Sequence, residues 1–120
     1  METANNKKID LSYLKLLSNG SNEFICEMIS VFMEQTPKEL DEIDKYWNAK
    51  NWQSLHRVAH KMKPSFTFMG IKELENVIRL IDEYSSTETN IDQLPELITK
   101  LKNVCSKALQ ELEIEKQLFL

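Results

Sequence analysis

Glycine and proline are scarce in this chain, with 2 Gly and 3 Pro in 120 residues. An all-β fold needs frequent tight turns, which those two residues supply, so that class is excluded. Long hydrophobic runs are also missing. Stretches such as Val31-Phe32-Met33 stop at three residues, too short for a transmembrane helix. The segment from Met1 to Lys8 lacks the apolar core of a signal peptide, which points to a cytoplasmic protein. Two cysteines, Cys26 and Cys105, stand far apart among apolar neighbours and read as reduced, buried thiols rather than a disulfide. Too few Cys and His are present at ligand spacing for a metal site. Positive charge is in deficit, 15 Lys and Arg against 19 Asp and Glu, and the net charge of -4 argues against nucleic acid as a partner. No glycine-rich phosphate loop is present, so no nucleotide is expected.

What the chain does have is 42% hydrophobic and 28% charged residues arranged at helical spacing. Residues 1–8 are polar and are expected to be a flexible terminus, with residues 9–120 forming one domain. A short helix is predicted from Asp10 or Ser12 to Leu17, ended by Ser18-Asn19-Gly20-Ser21. Ser21 or Asn22 caps a long helix with apolar positions Phe24, Ile25, Met28, Phe32, Leu40, Ile43 and Trp47, which Pro37 is expected to kink or divide. The third helix carries Leu55, Val58, Ala59, Met62, Phe66 and Met69 on one face and ends at Gly70. Ile71, Leu74, Val77, Ile78 and Ile81 mark the fourth, running to about Tyr84. In the last helix, Pro95 fits the first turn, and Leu94, Ile98, Leu101, Cys105, Ala108 and Leu112 have the seam spacing of aligned helices. The expected fold is all-α, an antiparallel up-down four-helix bundle with the short N-terminal helix as a lid.

Charge is not spread evenly over these helices. Residues 51–72 hold Arg57, Lys61, Lys63 and Lys72 and no acidic residue, so this stretch carries +4 on an acidic protein. Such a face suits an anion or an acidic partner. Both histidines, His56 and His60, lie here on the polar flank of the third helix with Lys63, Pro64 and Thr67. Their four-residue spacing would suit a two-histidine metal pair, but no third ligand is evident and no metal is expected.

The run Ala59-His60-Lys61-Met62-Lys63-Pro64-Ser65, followed by Met69-Gly70-Ile71 and Leu74, resembles the signature of histidine-containing phosphotransfer (HPt) domains. Ile9-Asp10-Leu11, Glu23-Phe24-Ile25 and Val31-Phe32 are similar to the usual approach into such domains, so the resemblance covers nearly the whole chain. It implies that His60 takes a phosphoryl group on Nε2 from an aspartyl phosphate and returns it to another. The partners would be receiver domains of response regulators or hybrid histidine kinases. By the same resemblance the chain is a monomeric phosphoryl carrier without a cofactor of its own, magnesium belonging to the receiver, and not a self-sufficient enzyme.

The residue types fit that chemistry. Histidine is a nucleophile that is neutral near pH 7, and a cation steadies the transferring group. Lys63, one turn past His60 on the same face, is the candidate for that stabilisation, while Lys61 lies further round, suited to steering or docking. Pro64 stands where the family more often has glycine; it cannot bond the His60 carbonyl and keeps the surface beside the histidine low. Gly70 ends the helix and lets the next approach closely. His60 lies ten residues before Gly70 and Asp82 twelve after, which brings Asp82 near the imidazole as a candidate for orienting it, a plain surface carboxylate being the alternative. Phe68 falls outside the core stripe and is a candidate for an apolar docking patch, with burial as the alternative. Two rival functions stay open: a helical adaptor whose histidine does no chemistry, and the histidine-bearing dimerisation domain of a sensor kinase. The acidic residue that usually follows the histidine in that second class is replaced here by Lys61. Met1 and the short length favour a stand-alone protein over a piece of a hybrid kinase.

Overall fold

A computed structural model describes residues 7–120. Its longest element, α2 (Asn22–Asn48), starts where the Ser21 side chain accepts the Phe24 N–H at 3.1 Å. At 1.5 Å per residue this helix is about 40 Å long, close to the 43 Å long axis of the described chain. The other elements are α1 (Ser12–Ser18), α3 (Trp52–Phe68), α4 (Lys72–Thr87) and α5 (Leu94–Lys116), with 3₁₀ turns at Ile91–Gln93 and Gln117–Phe119. No strand occurs among the described residues.

Contacts run α2 to α3, α3 to α4, α4 to α5 and back from α5 to α2, closing a ring of four antiparallel helices with α1 packed on α2. The apolar sets predicted for α3, α4 and α5 are all buried. In α2 the buried set differs from the predicted one. It is Ile25, Ile29, Phe32, Thr36, Glu39 and Ile43, alternating steps of four and three. Two polar residues therefore occupy the seam, and Phe24, expected to be buried, is exposed. Pro37 does not divide α2: it sits on the exposed side, and the seam residues before and after it pack into one core, which holds the helix together across the missing N–H. The fourth helix runs one turn past Tyr84, to Thr87.

Glu39 is the one buried acid of α2. Burial pushes its carboxyl above the ordinary value, and Lys61, whose Nζ lies 3.8 Å away, only partly draws it back. Burial, with the Glu39 charge adding to it, pushes the Cys105 thiol up to about 12, so it stays protonated. A carboxyl whose pKa is raised by folding binds its proton more tightly in the folded state, so the native protein gains stability as pH falls. Glu39→Gln is thus expected to stabilise the fold at neutral pH. The gain should fade as pH drops into the ordinary carboxylate range, which urea unfolding midpoints across pH would show.

The end of the bundle nearest Gly70 is closed by the N-terminal segment. The backbone N–H groups of Lys8 and Ile9 donate to the Glu111 carboxylate at 2.8–3.1 Å, and Asp10 N–H donates to the Met69 carbonyl at 3.1 Å. Lys7 and Lys8 pair with Glu115 and Glu73. The expectation of a flexible terminus over residues 1–8 otherwise lies outside the described residues. The side chains of Ile9, Leu11 and Leu14 are buried in the core, which seats this strap and α1 over the bundle end as the sequence predicted.

Candidate functional site

Helix α3 places His56, His60 and Lys63 at positions i, i+4 and i+7, one stripe along its polar flank. Ala59 and Met62 beside that stripe are fully packed in the core, so the register of the polar stripe is fixed by the apolar one. The helix ends in a Schellman turn. Gly70, at φ +63°, donates to the Thr67 carbonyl at 3.1 Å, and Ile71 N–H reaches the Phe66 carbonyl at 2.9 Å. The chain then reverses into α4, which returns antiparallel and sets Asp82 opposite the stripe.

Three side chains converge on the Asp82 carboxylate. His56 Nδ1 meets Oδ1, while His60 Nδ1 and Lys63 Nζ each meet Oδ2 at 3.1 Å. Burial pushes the Asp82 carboxyl up, but the hydrogen bonds from His60, Lys63 and His56 outweigh it and hold the group below its ordinary value. It is therefore an ionised acceptor near neutral pH. An ionised carboxylate cannot donate, so each imidazole must bring its proton on Nδ1. That tautomer leaves the Nε2 lone pair of His60 free, and the His60 side chain is 69% exposed. The geometry offers an accessible nitrogen nucleophile with a carboxylate behind it and an ammonium group at its side.

Several other predicted residues sit around this core of the site. Lys61 lies on the α2 side of α3, directed at Glu39. Arg57 turns onto the Ser54 hydroxyl at 3.0 Å, away from Asp82. Pro64 is exposed inside an α3 that continues to Phe68, and Thr67 is exposed one turn beyond Lys63. Gly70 stands at the bundle end against Asp10, remote from the imidazoles in role. Phe68 is half-buried, with its ring stacked on Tyr13 at 6.0 Å between centroids and 8° between planes. Its other surface lines a groove of about 400 Å³ between α2 and α3, with Met28, Val31, Gln35, Lys61 and Ser65. Val31 of this groove is exposed, as are Tyr13, stacked on Phe68, and Leu17, one turn further along α1.

Sequence reasoning set His56 and Lys63 beside His60 but did not foresee that Asp82 would hold both. The signal was present: the stripe spacing that put Asp82 near His60 puts it near residues one turn either side. No group of three or more His, Cys, Asp or Glu side chains among the described residues is placed to hold a metal ion. Nor is any described helix long and apolar enough to cross a membrane.

Comparison with known proteins identifies the family. A family model, the Hpt domain, matches residues 27–113. The phosphorelay intermediate protein YPD1 of Candida albicans is 32% identical over 91 residues, covering 74% of this chain and 49% of that protein. The chain thus spans about half the length of the curated relative it matches. No solved structure gives a significant match.

Proposed function

Because the chain belongs to the Hpt domain family, we propose that it carries a phosphoryl group on Nε2 of His60 between receiver-domain aspartates in a multistep phosphorelay. The observation that carries the reading is the exposed His60 ring with its Nδ1 on the ionised Asp82 carboxylate. The Nε2 lone pair attacks the phosphorus of an aspartyl phosphate, the acyl O–P bond breaks, and the receiver carboxylate leaves. No proton need move, since Nδ1 keeps its own. Positive charge that builds on the ring during attack faces Asp82, as a carboxylate stabilises an imidazolium. Return of the group to a second receiver is the same step reversed.

Lys63 supplies the cation for the equatorial oxygens of the group in flight. Its ammonium group is held beside His60 by Asp82 and is partly exposed, so it can swing onto an incoming phosphoryl group while staying near the carboxylate. Lys63→Ala is expected to slow uptake from a phosphorylated receiver by about ten- to a hundredfold. Rapid-quench kinetics would measure this, with an unchanged circular dichroism spectrum as the control.

Receiver domains of response regulators or hybrid kinases are the partners this chemistry fits, because they present a phosphoryl group on a carboxylate. The apolar surface of Tyr13, Leu17, Val31 and Phe68 beside the charged flank supports docking of such a domain, charge giving rate and apolar contact giving affinity. We take residues 9–120 as one working unit, acting as a monomer in the cytoplasm; a ring already closed by four long helices leaves no half-bundle for a second chain to complete. The reading is tested by incubating the chain with a phosphorylated receiver. Acid-labile, base-stable label on the chain supports it; no label with a panel of receivers would leave a helical adaptor as the better description.

A further inference from the structure

The exposed His60 ring has little packing to fix its orientation, so the bond from Nδ1 to Asp82 Oδ2 must do so. That bond is only as well directed as the carboxylate itself. A carboxylate on a helix can rotate about its terminal torsion, which is broad and roughly two-fold. Its plane is set when both oxygens are held. Oδ2 is held by His60 and Lys63, which are the moving parts of the chemistry. Oδ1 is held by His56, and among the described residues no other side chain donates to it. The neighbours that could compete are engaged elsewhere. Arg57 is on Ser54, Ser85 hydroxyl donates to the backbone carbonyls of Ile81 and Asp82, and Arg79 holds Asn76 and Glu83.

We propose that His56 is a positioning residue for His60: by donating Nδ1–H to Oδ1, it locks the Asp82 carboxylate so that Oδ2 stays aimed at His60 Nδ1. The two histidines use different oxygens, so they reinforce rather than compete. The His56 side chain is half as exposed as that of His60, 35% against 69%, which makes it the better-anchored end of the array. This role rests on His60 being the phosphoryl carrier, but its first consequence is a tautomer, which can be seen without any phosphoryl chemistry.

The test uses the full chain labelled with ¹⁵N, with the His60 tautomer read from long-range proton–nitrogen correlation spectra at mildly alkaline pH. Wild type should show His60 with its proton on Nδ1. In His56→Ala the balance should move toward Nε2–H by about fivefold, the equivalent of one ordinary hydrogen bond. Uptake from a phosphorylated receiver should slow about tenfold as the attacking nitrogen loses its fixed geometry. His56→Asn, whose amide nitrogen stands where Nδ1 stood, should restore both. A purely structural His56 would change the unfolding midpoint but leave the tautomer alone. An unchanged tautomer and rate in His56→Ala, or a faster rate, would overturn the proposal. Failure of the wild type to take up phosphate would instead count against the carrier reading, and the tautomer shift would still decide the role of His56.

Discussion

His60→Gln is expected to lower phosphoryl uptake from a phosphorylated receiver by at least about a thousandfold, because removing a nucleophile removes the step itself. Glutamine can still donate an amide N–H toward Asp82, so the carboxylate is not left bare. It has no nitrogen lone pair that can attack phosphorus, since that pair is delocalised into the carbonyl. The wild-type side chain is 69% exposed, so little packing is lost and the variant should fold with stability within about 0.5 kcal/mol of wild type. Gel-based transfer of radiolabel and a urea melt, run on the same preparation, separate loss of chemistry from loss of fold. Undiminished label in this variant would move the acceptor to another residue. His56, whose Nδ1 is held by the same carboxylate, would be examined next.

Gly70→Ala is expected to cost about 3 kcal/mol or more of stability, large for one methyl group, for two reasons that act together. At φ +63° an L side chain is strained wherever it sits. There is also no room: a Cβ on Gly70 would overlap the Asp10 carbonyl oxygen and stand 2.8 Å from its carbon and 2.9 Å from the Asp10 Cβ. Backbone, not a flexible side chain, is in the way. The strap would have to lift, and with it the bond from Asp10 N–H to Met69 and the grip of Glu111 on Lys8 and Ile9. The urea midpoint should fall, and amide exchange at Ile9 and Asp10 should speed up before that of the α3 core. A variant as stable as wild type would mean that the close approach of the strap to the α3–α4 turn is not a constraint.

Much of this fold is legible in the residue pattern because each long helix buries one unbroken face. In α3, α4 and α5 every predicted apolar residue is buried, and the buried faces add only Ser54, Asp82, Ser85 and Val104 to them. In α2 they do not, because Thr36 and Glu39 occupy seam positions that a hydrophobicity reading passes over, and Phe24 looks like core but faces outward. Steps of four and three from Ile25 to Ile43 would have found the seam had polar residues been allowed in it. Pro37 misled for a related reason. A local rule about one missing N–H says nothing of the packing on both sides that keeps α2 one continuous helix through it.

The candidate site divides in the same way. Helical spacing puts His56, His60 and Lys63 on one polar flank, and the resemblance of the Ala59–Ser65 run to the HPt signature singles out His60. Counting outward from the turn at Gly70 brings in Asp82. The sharing of one carboxylate among His56, His60 and Lys63 depends on rotamers and on the depth of Asp82 between two helices, which no linear pattern encodes. Phe68 lay near a phase ambiguity at Pro64, and its stacking on Tyr13 brings in α1, an element far away in sequence.

The most direct measurement is the position of the phosphoryl group itself. After transfer from a phosphorylated receiver, phosphorus and nitrogen resonance spectra of the ¹⁵N-labelled chain should show a single N–P bond, at Nε2 of His60, with the Nδ1 proton still in place. A phosphoryl group on Nδ1, or on any other residue, would contradict the geometry in which Asp82 holds one ring nitrogen so that the other can react.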